Sequence, residues 1–125
     1  MIKFHRTHGK DITMMVTSVE DPSKYGVVLP FEDGRVFKFI EKPKDFIGNK
    51  VNAGLYVFNT SVIDMIEIRP HFLERDLFPK LADEGKIYCM NLTGFWMDIG
   101  QPKDFLIGTK YYLQHLKDSG SSELA

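Results

Sequence analysis

One cysteine, one tryptophan and no apolar stretch near twenty residues long mark what this 125-residue chain does without. The lone Cys89 lies in the apolar run IYCMNL, which excludes a disulfide framework and reads as a buried thiol in a reducing compartment. A spanning helix needs about twenty apolar residues in succession, and a secretory signal needs an apolar region behind its amino terminus. Neither pattern occurs, so no membrane partner is expected and a cytoplasmic location is the default. Charge of one sign is lacking too: 16 Lys and Arg against 17 Asp and Glu leave a net charge of −1, which gives nucleic acid no electrostatic footprint. There is no GxxxxGK[ST] phosphate loop and no GxSxG elbow. His5 and His8 lack the further cysteine or histidine that would complete a zinc set, and are expected to face solvent.

What is present is a globular composition, 43% hydrophobic, in a chain long enough to hold a core. IKFHRTHGK reads as helical turns stopped by Gly9, with Met1 expected to begin within an element. ITMMVTSV has strand length and β-branched content. YGVVLPFEDGRVFKFIEKP reads as two strands around a tight Asp33-Gly34 hairpin. VNAGLYVFN is a further strand, and Asn59, Thr60 or Ser61 can cap a short helix over SVIDMI. Leu73, Leu77 and Leu81 recur every four residues as the buried stripe of a helix that Pro79 should kink near its end. KIYCMNL follows as a strand buried on both sides. Pro102 then suits the first turn of a helix whose Phe105, Tyr112 and Leu116 share a face, and the ending KDSGSSELA reads as a loose polar tail. Strands interleaved with helices predict an α/β layer architecture.

Three stretches can carry chemistry. In FIEKPKDF, Glu41 and Lys42 follow a strand and Pro43 ends it; the plain reading is a charged turn, the functional one a carboxylate for sugar hydroxyls beside a cation for phosphate. In VNAGLYVF, Asn52 precedes Ala53 and Gly54, small residues that let a ligand approach the backbone. TGFWMDIGQPKDF sets Trp96 beside Asp98, an aromatic wall next to a hard carboxylate of the kind Mg²⁺ prefers, although one acid alone makes a poor site. Asp104, in a helix's first turn, is better placed to serve the helix dipole than to pair with Asp98. Asp11, Glu20 and Asp21 are expected in solvated turns, the last with Pro22 as a turn start.

The order EDPSKYGVV, EKP, NAGLYVFN, GFWMDIGQPKDF resembles the second half of the catalytic domain of the mannose-1-phosphate guanylyltransferases, also called GDP-mannose pyrophosphorylases, over about residues 2 to 117. Glucose-specific sister enzymes share the EKP turn but differ in wording around NAGLY and WMDIGQP, so mannose is favoured. The resemblance implies a Rossmann-like, GT-A-like mixed sheet with packed helices. In that family a mannose 1-phosphate oxygen attacks the α-phosphorus of GTP, Mg²⁺ steadies the charge, and GDP-mannose and pyrophosphate result. By the same resemblance Gly26 lets backbone approach the hexose, Glu41 binds its hydroxyls, Lys42 grips its phosphate, and Asn52, Ala53 and Gly54 contact the sugar. Trp96 walls the pocket and Asp98 is a magnesium ligand.

The family's GxGTRL-type triphosphate loop, with its downstream lysine and metal-sharing aspartate, does not occur here, and neither does its left-handed β-helix. The expectation is therefore a partial catalytic domain, 1–117, lacking the N-terminal nucleotide-binding strands and followed by a flexible tail, 118–125. Such a chain is expected to be inactive alone and to expose an unpaired sheet edge. Alternative readings are a non-catalytic binding or regulatory subunit that docks on a complete nucleotidyltransferase partner, and a glucose-1-phosphate relative. Assembly into homo- or hetero-oligomers stays open.

Overall fold

Ile12, Met14 and Val16 alternate in the sequence. In the computed structural model, which describes residues 1–120, they form the fully buried face of strand β1 (Ile12–Ser18). Four further strands join it: β2 (Gly26–Pro30), β3 (Val36–Glu41), β4 (Lys50–Phe58) and β5 (Ile87–Asn91), in the order β3-β2-β4-β1-β5. The pairs β2–β3, β2–β4 and β1–β4 are antiparallel and β1–β5 is parallel, so the sheet is mixed, as the family resemblance implies. The connection leading into β3 also meets β5. Arg35 and Tyr88 form an antiparallel bridge, and the Cys89 N–H donates to the Gly34 carbonyl at 2.8 Å.

One sheet face is covered by α2 (Phe78–Asp83), whose Phe78, Leu81 and Ala82 are buried with Leu77 and Val62 against Met14, Val28, Phe39 and Ile87. Phe78 anchors this core, with its ring 5.3 Å from that of Phe39 and 5.2 Å from that of Tyr56. On β5 only Ile87 and Cys89 are fully covered, while Tyr88 and Met90 are half-buried, so the strand is less enclosed than its apolar run suggests. Burial pushes the Cys89 thiol up from its ordinary value and leaves it unreactive.

Helix α1 (Ile2–His8) ends where Gly9 turns left-handed, φ 62°, and returns its N–H to the His5 carbonyl. Its histidines do not face solvent. His5 is buried, 8% exposed, and His8 is half-buried, because both reach the buried hydroxyl of Thr13 on β1. Asp11 is likewise half-covered and lies 3.9 Å from the Lys86 ammonium. Asp21 does start a turn: its carboxylate accepts from the Ser23 N–H and hydroxyl ahead of a 3₁₀ turn, Pro22–Lys24.

Local chemistry redirects several other expectations. The connection between β2 and β3 spans residues 31–35 rather than two residues. Gly34 alone takes positive φ, 88°, while the Asp33 carboxylate accepts from the Arg35 N–H. The segment after β4 is a 3₁₀ helix, Thr60–Met65; Asn59 occupies the N-cap position without capping by side chain, since its amide is committed elsewhere. The leucine stripe begins as a π turn, Leu73–Leu77, and becomes α-helical only at α2, where Pro79 falls in the first turn instead of near the end. A proline has no N–H to give, so the hydrogen-bond register changes at that residue without loss.

The chain divides into two compact units, Met1–Leu92 and Thr93–Ala125. The second contains α3 (Pro102–Asp118), with Pro102 and Asp104 in its first turn. The helix runs past the expected start of the tail, whose residues 121–125 lie outside the described ones. Among the described residues no helix is long and apolar enough to cross a membrane.

Candidate functional site

In the first unit the site residues gather where β2 begins, β3 ends and β4 enters a bulge, near the π turn. Glu41 closes β3 opposite Gly26 of β2. A Cβ at Gly26 would lie 2.4 Å from Phe39 Cζ and 2.9 Å from Glu41 Oε2, so the glycine is first of all the space into which these two side chains fold. Strand alternation would send the next side chain, Lys42, to the opposite face. It does not, because Lys42 is the one non-glycine residue with positive φ, 46°, among the described ones. Its N–H donates to the Tyr25 carbonyl at 3.1 Å, and its ammonium comes back to 3.9 Å from Glu41 Oε1. Lys42 remains exposed and Glu41 does not, so the pair presents a solvated cation over a half-buried carboxylate. A left-handed residue with a Cβ costs about 1–2 kcal/mol, and such strain concentrates at functional sites.

Asn52 reaches the same neighbourhood from β4 by a second device. Between the pairs Met14–Tyr56 and Val16–Asn52, β4 has two residues more than β1, a bulge with Gly54 at φ 80°. The Asn52 side-chain oxygen accepts from the Gly54 N–H at 2.9 Å, which fixes the amide's orientation. Its Nδ2 donates to the Tyr56 hydroxyl at 2.6 Å. One amide hydrogen and one oxygen lone pair stay available for a ligand. Ala53 is buried within the bulge.

Burial raises the Glu41 carboxyl above its ordinary value and the Glu74 carboxylate adds to this, against Lys42 and Arg75. Burial also raises the Tyr56 phenol; the Asn52 bond opposes that, and Glu74 and Glu41 reinforce it. Two carboxylates, two cations, a phenol and an amide therefore share one field. Tyr56, Glu74 and Arg75 were invisible in the sequence. Tyr56 stands four places from Asn52, a separation of about 13 Å in a regular strand, and only the bulge brings them into contact. Glu74 and Arg75 sit in a π turn that no periodicity announces, although such turns are frequent at functional sites.

Trp96 and Asp98 belong to the second unit. Trp96 lines an apolar groove of about 380 Å³ with Met97, Ile99, Phe105, Gly108 and Leu113. Asp98 is exposed; its Oδ1 accepts from the Gly100 N–H at 3.0 Å, which leaves Oδ2 for a cation. No group of three metal-ligating side chains occurs among the described residues. Asp98 thus fits a hard divalent cation as one ligand among several, and does not make a site alone.

A family model for nucleotidyl transferases matches residues 1–115. The chain belongs to the nucleotidyl transferase family. Within the family, this nucleotidyl transferase chain is 55% identical over 124 residues to a mannose-1-phosphate guanylyltransferase catalytic subunit beta of Drosophila pseudoobscura pseudoobscura, covering 99% of this chain and 33% of that protein. It is 53% identical to a probable mannose-1-phosphate guanylyltransferase 2 of Arabidopsis thaliana, covering 100% and 35%. With a mannose-1-phosphate guanyltransferase of Neurospora crassa the identity is 54%, covering 98% and 34%. The chain spans about a third of the length of these relatives.

Proposed function

We propose that this chain is the sugar-1-phosphate-binding part of a mannose-1-phosphate guanylyltransferase, which joins GTP and mannose 1-phosphate into GDP-mannose and pyrophosphate. The observation that carries the reading is the left-handed Lys42, strained so that its ammonium stands over Glu41 instead of on the other sheet face. A hexose 1-phosphate needs that combination: acceptors for its hydroxyls and, one bond beyond the anomeric carbon, a cation for its phosphate.

In this reading Lys42 holds the phosphate as a point charge, with Arg75 close enough to add to the field. Glu41 accepts from sugar hydroxyls, and Asn52 contributes the amide hydrogen and lone pair that the bulge leaves unused. Gly26, Ala53 and Gly54 keep the backbone near the sugar, while Trp96 lines the apolar groove of the second unit. An oxygen of the held phosphate attacks the α-phosphorus of the nucleotide, and pyrophosphate leaves with the electrons of the broken bond. Positioning and charge neutralisation carry such a transfer; no strong base is required. Asp98 would hold Mg²⁺ through Oδ2 together with phosphate oxygens, and the ion would neutralise charge on the phosphates. The triphosphate is gripped by a glycine-rich loop that these 125 residues do not contain.

Calorimetric titration of the chain with mannose 1-phosphate tests this. Saturable binding is expected in the wild type. Lys42→Ala should lose about 1.5–3 kcal/mol, roughly ten- to a hundredfold in affinity. Equal binding by both proteins would refute the assignment.

A further inference from the structure

Away from this site, the two histidines of α1 enter a hydrogen-bond chain whose direction can be read from its fixed ends. The backbone N–H of Lys10 can only donate, and it points at His8 Nδ1 from 3.0 Å. His8 must therefore carry its proton on Nε2, which lies 2.6 Å from the Thr13 hydroxyl oxygen. Having accepted there, the Thr13 O–H is free to donate to His5 Nδ1 at 2.8 Å. His5 then holds its proton on Nε2 and gives it to Asn59 Oδ1 at 3.0 Å. The Asn59 amide is oriented in turn by its Nδ2, which donates to the Lys10 carbonyl at 3.2 Å. Each donor meets an acceptor, and the chain begins and ends on the backbone of one residue.

We propose that His8, Thr13, His5 and Asn59 form a directed relay that latches α1 onto the sheet while both imidazoles are neutral and releases it when they are protonated. A proton added to His8 has only Nδ1 to occupy, where it would face the Lys10 N–H. A proton added to His5 goes to Nδ1, which leaves the Thr13 hydroxyl hydrogen without an acceptor in a buried position. The surroundings offer a cation little. His8 stacks on the Tyr88 ring of β5 at 4.5 Å and meets the rings of His5 and Phe4 edge to face, each at 5.1 Å. Lys10 adds positive charge from the following turn. The acid at the relay's far end, Asp11, accepts from Asn59 Nδ2 at 3.4 Å and lies 3.9 Å from the Lys86 ammonium. Burial, then the His5 and Lys10 charges, lower the His8 pKa from its ordinary 6.5. A base whose folded pKa is depressed contributes full stability above the unfolded value and loses it as pH falls, so the latch weakens below about pH 6.5.

The test uses the whole 125-residue chain. Long-range ¹H–¹⁵N spectra near pH 7.5 should show both rings as neutral Nε2–H tautomers. Hydrogen exchange, corrected for its intrinsic pH dependence, should show the His5, Gly9 and Lys10 amides losing protection as pH falls through the transition, by about tenfold per pH unit for each proton taken up, while β4 keeps its own. Thr13→Val, which keeps the shape and removes the hydroxyl, should abolish α1 protection already at neutral pH. If that variant fails to fold, the wild-type tautomers and exchange still decide. An Nδ1–H or cationic ring at pH 7.5, or α1 protection unchanged on acidification, overturns the latch.

Discussion

Glu41 is asked to do two things that oppose each other. Its carboxylate is useful to a hydroxyl-bearing ligand because it is half-buried, and that same burial, with Glu74 beside it, raises its pKa. A carboxyl whose folded pKa is raised penalises the fold in its charged form. The penalty is absent below the unfolded value and present once the pH exceeds the folded one. Glu41→Gln should therefore melt at a higher temperature than wild type near neutrality, with the gap closing as pH falls toward 4, while affinity for mannose 1-phosphate drops about tenfold or more. Melting curves at the two pH values check the first part, and a Gln variant less stable at neutrality would show that the carboxylate's contacts outweigh its burial. Lys42 has the complementary problem. It holds a strained backbone and stays exposed, a combination that packing alone does not explain.

At the scale of elements, periodicity made the sheet legible and left its irregularities hidden. The alternation in β1 and the turn around Gly34 are short-range patterns that appear in the structure, whereas of the leucine stripe only Leu81 lies in α2, and Leu73 and Leu77 belong to the π turn before it. The bulge in β4 is different. Nothing in VNAGLYVF says that Gly54 takes φ 80° or that Asn52 caps it, because that depends on pairing with β1, some forty residues earlier. The histidines depart from their expected solvent-facing position for a related reason: their partner, Thr13, looks like an ordinary strand residue until α1 folds over it. Asn52→Ala should remove both the cap on Gly54 and the bond to Tyr56, lowering stability by about 1 kcal/mol in urea unfolding. Tyr56→Phe, which removes one bond of the two, should lower it less. Equal losses would mean that the bulge stands without its cap.

Across the whole molecule, large apolar side chains stay open in both units: Phe46, Ile68 and Phe72 in the first, Phe105, Leu106 and Leu113 in the second. With a net charge of only −1, little repulsion keeps copies apart. Sedimentation should accordingly show a mass that rises with concentration, and a strictly monomeric mass into the high micromolar range would contradict this. The chain spans about a third of the length of the relatives it matches, and the role proposed for these residues is recognition of the sugar 1-phosphate. That claim is tested most directly by following backbone amide resonances of the full chain as mannose 1-phosphate is added. Saturable shifts are expected at Gly26, Glu41, Lys42, Asn52 and Gly54, with a much smaller response to free mannose, which lacks the phosphate proposed to bind Lys42. Shifts confined to other residues, or none at millimolar ligand, would contradict it.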